Sequence, residues 1–233
     1  MWSLTPAEVQ TLLLSLKVAL CSVAASLPVA IAISWVLSRL SFPGKGLLDA
    51  VVHLPLVLPP VVVGYFLLVL FGRHGPLGAP LHDYLGITFT FRWTGAALAS
   101  AVMGLPLLVR AVRQSLDAVD RGLEQAAATL GASPAWVFAS VTLPLILPGI
   151  LTGMLLSFAR GLGEFGATIT FVSNIPGETR TLPLAIFTYT EVPGGDVAAL
   201  RLCLISVALS LAALIASETL LRRAVVRAAG RDA

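Results

Sequence analysis

The sequence predicts an all-α, polytopic membrane bundle of about five transmembrane helices with one polar island on the cytoplasmic side. Three observations predict it. Of 233 residues, 57% are hydrophobic and only 12% charged, with a mean hydropathy of +0.93, whereas an ordinary globular domain carries about 25% charged residues. Five apolar stretches, 12–37, 51–71, 93–112, 141–159 and 198–221, each approach the ~20 residues needed to cross a bilayer. Basic residues, finally, gather in alternate connections. Arg39 and Lys45 lie between the first two stretches, Arg110, Arg113 and Arg121 precede the fourth, and Arg222, Arg223, Arg227 and Arg231 close the chain. By the positive-inside rule these segments face the cytoplasm, which puts the N-terminus outside and the C-terminus inside. The outward connections carry Arg73, Arg92, Arg160, Arg180 and Arg201 over longer lengths.

The first stretch reads as an uncleaved helix rather than a signal peptide. Its head, MWSLTPAEVQ, has no basic residue and contains Glu8, and its apolar run far exceeds the roughly 7 to 15 residues of a signal core. Lys17 lies inside it, with a stem long enough to carry the ammonium toward the outer interface. In the second stretch Pro55, Pro59 and Pro60 remove backbone donors and predict a bend, which serves a pathway or is a packing kink. Pro106 interrupts the third, and Arg110 enters its end. A further apolar piece, 165–172, is short enough to be a re-entrant or interfacial helix rather than a span.

The island, residues 117–140, has a different pattern. Leu116, Val119, Leu123, Ala126, Ala127 and Leu130 recur at three- and four-residue spacing, giving a helix with one apolar face and Asp120, Arg121, Glu124, Gln125 and Ala128 around it. Gly131 supplies the stop, and Ser133 followed by Pro134 starts a second short helix as N-cap and first residue. Such an element either lies on the bilayer surface or docks another protein.

Gln125-Ala126-Ala127, then Gly131, then Val141-Thr142-Leu143-Pro144 resembles the EAA loop of bacterial ABC importer permeases. Gln125 stands where that family usually has Glu, with Glu124 just before it, and Val141 where it usually has Ile. The resemblance implies that Glu124, Gln125, Ala126, Ala127, Gly131, Ser133, Pro134, Trp136, Leu143 and Pro144 form a coupling loop inserted into a cytoplasmic ATPase subunit. Two further segments, His53 through Tyr65 and Arg160 through Thr168 running on to Gly177, look like the molybdate permease group. Sulfate permeases share the Gly-Glu-Phe-Gly run, so tungstate and sulfate stay open as substrates. The family further implies a homodimer, a periplasmic oxyanion-binding protein, and an inner-membrane location among lipid. Nucleic acid is not an expected partner.

Pathway or gate roles are assigned to Pro59, Pro60, Gly163, Gly166, Thr168 and Thr170. Proline frees carbonyls, glycine permits close approach, and threonine offers a hydroxyl to an anion or to a neighbouring helix. Glu164 would repel a dianion, so it is assigned to structure, paired with Arg160 one turn back. No enzyme signature stands out. Gly44-Lys45-Gly46 lacks the spacing and the Ser or Thr of a phosphate loop, and His53, His74 and His82 have no partners at metal-ligand spacing. Cys21 and Cys203 read as small apolar residues in separate spans. No catalytic residue, metal or cofactor is expected, and a secondary transporter or channel is the rival class.

Overall fold

The computed structural model describes residues 4–229. Of the tail used in the topology reading, Arg231 lies outside them. Helix α1 (Pro6–Arg39) starts on a capping box in which the Thr5 side chain accepts from the Glu8 backbone N–H and Glu8 reaches back to the Thr5 N–H. At 1.5 Å per residue α1 is about 51 Å long, well beyond the ~30 Å hydrocarbon core, so it projects past the bilayer. Its N-terminus is tied down by Glu8, which is buried and paired with Arg201.

The second predicted stretch is not one straight helix. Between helix α2 (Lys45–Val57) and helix α3 (Pro60–Phe71) the chain bends by 116°. Leu58 and Pro59 each precede a proline, which disfavours the helical region for them, and both are extended, with ψ of 144° and 132°. Pro60 then opens α3, where its missing N–H is no loss. Helix α4 (Gly78–Leu85) is a short piece in the following connection, unforeseen in the sequence.

Helix α5 (Trp93–Ala118) runs past the expected end at 112. After a break at Val119 come α6 (Arg121–Thr129) and α7 (Pro134–Val137), then a π-turn (Phe138–Thr142) and α8 (Leu143–Leu162). Two expectations for the island need correcting. Leu116 and Val119 do not share a helix with Leu123, because Asp120 caps a new one. The second short helix is also not separate, since it passes through the π-turn into α8 and makes one apolar unit, Pro134–Leu162.

Helix α9 (Gly166–Val172) covers the 165–172 piece. Its Ala167, Phe171 and Val172 are fully buried, which puts it inside the bundle and not on a membrane surface. Helix α10 (Leu182–Thr190) and the long α11 (Asp196–Ala229) complete the chain. Among the described residues four helices are long and apolar enough to cross, five if the bent α2–α3 pair is one span.

Helix α5 is the hub, packed along α1 and α8. One apolar cluster joins Leu14 and Val18 of α1 to Val63 and Leu67 of α3, Ala96 and Met103 of α5 and Phe171 of α9. The second, toward the island, joins Leu37 of α1 to Val52 of α2, Val112 and Leu116 of α5 and Ile146 of α8. Close approach rests on small residues: a Cβ on Gly153 of α8 would come within 2.7 Å of Leu108 of α5. Large apolar side chains such as Leu47, Val57, Leu204 and Val207 point outward, as a lipid solvent allows. Cys21 and Cys203 are free and half-buried.

Candidate functional site: a docking loop and a buried junction

The two ends of α8 carry the residues singled out in the sequence. At its start, Asp120 caps α6 by accepting from the Gly122 N–H at 2.8 Å. Gly131 follows α6 with φ +86°, the left-handed conformation that ends helices. The Ala132 N–H donates back to the Ala127 carbonyl at 3.3 Å, five residues away, as in a Schellman-type end. Ser133 then caps α7, its hydroxyl accepting from the Trp136 N–H at 3.4 Å, with Pro134 as the first helical residue.

This turn exposes apolar surface. Leu130 is 89% exposed and Trp136 57%. With Ala126, Ala127, Gly131, Ala132, Ser133 and Val141 they line an open groove of about 720 Å³. Gln125 and Ala126 face solvent, whereas Leu143 and Pro144 lie past the turn in the first residues of α8. Glu124, also in this loop, faces the bundle. Its side chain is only 20% exposed and turns inward, where Oε1 accepts from Arg39 Nη2 at 2.9 Å and from Thr142 Oγ1 at 2.7 Å. Opposite charges at the end of one predicted span and in the island were visible in the sequence; their meeting depends on packing that brings α1 beside α6.

At the other end of α8, Gly166 meets Pro60 and Thr170 meets Gly64. A Cβ on Gly166 would lie 2.8 Å from the Pro60 Cβ, and one on Gly64 2.6 Å from the Ala167 carbonyl oxygen, so α9 is pressed against the break between α2 and α3. Pro59 and Gly163 are exposed at the edges of this junction. Thr170 Oγ1 donates to the Gly166 carbonyl at 2.8 Å, which commits it to its own helix. Thr168 is buried, and its hydroxyl has no hydrogen-bond partner. Glu164 is 1% exposed; Oε2 pairs with Arg160 Nη1 at 2.6 Å and Oε1 accepts from the Ala167 N–H at 2.8 Å, capping α9. The pairing with Arg160 agrees with the structural role assigned to it.

Three contacts were not foreseen. The Lys17 ammonium sits over the Trp93 ring, 3.5 Å from its centroid, so a cation–π contact receives the snorkelling side chain. Glu8 pairs with Arg201 across the chain, Nε donating to Oε1 at 3.1 Å. Arg113 bridges Asp49 of α2 at 2.8 Å and Asp117 at 3.7 Å. Lys17 and Trp93, Glu8 and Arg201, and Asp49 and Arg113 each lie far apart in sequence, where periodicity says nothing of partners.

A helical membrane bundle with an exposed helix–glycine–helix loop defines the class, and comparison with known proteins places the chain within it. The chain belongs to the family of binding-protein-dependent transport system inner membrane components, whose model matches residues 24–229. It is 61% identical over 219 residues, 94% of this chain and 96% of the relative, to the molybdenum transport system permease protein ModB of Escherichia coli (strain K12). It is 42% identical over 156 residues, 67% of this chain and 54% of the relative, to the sulfate transport system permease protein CysW of Synechococcus elongatus. Its fold resembles a chain of the bacterial alginate ABC transporter in complex with an alginate pentasaccharide-bound periplasmic protein, with a TM-score of 0.74 over 94% of this chain and 80% of that one at 15% identity.

Proposed function

We propose that this chain is the membrane subunit of an ATP-driven importer that carries molybdate across the inner membrane. The 61% identity to a molybdenum permease over nearly the whole length supports molybdate. The sulfate relative is matched over only about half of its own length. The chain is not itself an enzyme, and ATP is hydrolysed on a separate cytoplasmic subunit. The loop of residues 117–140 docks that subunit, with Leu130 and Trp136 as its apolar contacts. Two copies of this chain enclose the path, because one bundle of this size cannot surround it alone. A binding protein delivers the anion at the outer face. Closure of the ATPase pair draws the two loops together and switches the cavity from inward- to outward-open. Among the described residues the buried acids Glu8 and Glu164 and their arginine partners neutralise each other, and selectivity for a dianion that is costly to strip of water is assigned to the binding protein.

The observation that carries docking is the exposure of Leu130 and Trp136 on a structured polar loop, since a cytoplasmic surface of this kind calls for a partner. Co-expression with the cognate ATPase subunit, affinity purification of this chain and molybdate uptake in vesicles test it. Co-purification with ATP-dependent uptake is expected, and uptake driven by an ion gradient without an ATPase would sink it. Orientation is read in the same cells: a single cysteine at Ser133 resists impermeant thiol reagent from outside, while one at Gly78 reacts.

A further inference from the structure

Helix α6 has no buried residue, so apolar packing does not hold it to the bundle. Its attachments are polar and run to the far end of α1. Glu124 accepts from Arg39 at 2.9 Å and from Thr142 at 2.7 Å. Arg121 Nη2 donates to the Ser38 carbonyl at 3.1 Å, while the Ser38 hydroxyl donates to Asp117 of α5 at 2.6 Å and so ties α1 to α5 beside it. The Arg39 side chain is only 10% exposed, so its pairing with Glu124 is screened less than a surface ion pair. Beneath the loop is a cavity of about 280 Å³ lined by Trp35, Arg39, Glu124, Phe138 and Thr142 among others, so close packing does not lock α6 in place there.

Both covalent routes from the loop into the bundle contain a break. Toward α5 the chain leaves helical geometry at Val119, with ψ of 127°. Toward α8 it leaves helical geometry at Gly131, with φ +86°, before the continuous helix that runs from Pro134 through the π-turn into α8. The Arg39–Glu124–Thr142 strap bypasses both breaks, and it reaches α1, which lies along α5 and α8.

We propose that Arg39 is a positioning residue that carries movement of the docking loop into α1, and through α1 into the bundle. This rests on the docking reading above. In the assembled complex, Arg39→Gln should keep the ATPase subunit but lower the molybdate transported per ATP hydrolysed about fivefold, the size of a modest coupling energy. The exchanged pair Arg39→Glu with Glu124→Arg should regain at least about half of that ratio, and Thr142→Val, which removes one arm of the strap, should lower it about twofold. A purely structural role would reduce yield without moving the ratio. Normal coupling in both Arg39→Gln and Thr142→Val would overturn the proposal, as would failure of the exchanged pair to recover. Loss of the ATPase subunit from Arg39→Gln would also overturn it, by placing the pair in the docking contact.

A second measurement is independent of any ATPase. In the full chain in lipid, amide exchange across residues 121–129 should speed up about tenfold in Arg39→Gln, because nothing apolar replaces the strap. Unchanged exchange there would remove the strap even if docking stands. If the wild-type chain retains no ATPase while exchange responds as stated, the docking reading fails and the anchoring role of Arg39 survives.

Discussion

Helix α8 begins in a loop that shows its apolar residues to water and ends at a junction that hides a carboxylate from it. Before α8, Leu130 and Trp136 are exposed while Glu124 turns inward. After α8, Glu164 is sealed beneath α9, and Phe171 and Val172 fill the interior. The usual placement of polar and apolar groups is inverted at both ends, for opposite reasons. An apolar surface persists in the loop because a partner is expected to cover it. A charge persists in the junction because the Arg160 guanidinium lies beside it and the Ala167 N–H of α9 donates to it. A substitution at the junction should therefore act on folding, and one in the loop on assembly.

The largest expected effect is at the junction. Glu164→Ala leaves Arg160 without its partner and α9 without its cap, a loss of about 3 kcal/mol for a broken buried pair. Thermal unfolding of the detergent-solubilised chain would register it as a clear drop in midpoint. A midpoint equal to wild type would mean that Glu164 does not hold α9, and the contrast between the two ends of α8 would collapse. Trp136→Ala should do the reverse. Truncating an exposed aromatic anchor is expected to weaken ATPase binding by about 2 kcal/mol, roughly 30-fold. The unfolding midpoint should stay nearly unchanged, since Trp136 is mostly outside the fold. Titration of the ATPase subunit onto the immobilised permease reads the first quantity. Equal losses of stability and binding would erase the distinction.

The sequence revealed these two regions unequally. The loop was legible in detail because local rules write it: a capping aspartate, a glycine after the last helical turn, and a Ser-Pro start all act within a few residues. What local rules did not give is the inward turn of Glu124, whose partners, Arg39 and Thr142, come from other elements. The junction was legible in its parts only. Pro59 and Pro60 promised a bend, yet a kinked span and a 116° break have the same composition. That Gly166 meets Pro60, and Gly64 meets Ala167, is a tertiary fact with no local signature. The apolar run 165–172 was too short to declare itself, because hydropathy fixes a preference for the membrane and not whether protein or lipid surrounds a segment.

The smallest effect, and the sharpest test of the loop, is at Gly131. Its φ of +86° lies in the left-handed region, yet an added Cβ would meet nothing within 4 Å. Any cost of a small side chain is therefore backbone strain rather than collision. Gly131→Ala should lose about 1 kcal/mol of loop order, Gly131→Asn less because asparagine tolerates this conformation, and a β-branched residue such as Val more. ATPase affinity should fall in the order Gly, Asn, Ala, Val. If Asn and Ala were equally damaging although they differ in tolerance for positive φ, the penalty would lie in the docked interface, where added atoms meet the partner. Gly131 would then be a contact residue in the same groove as Leu130 and Trp136, and not a hinge.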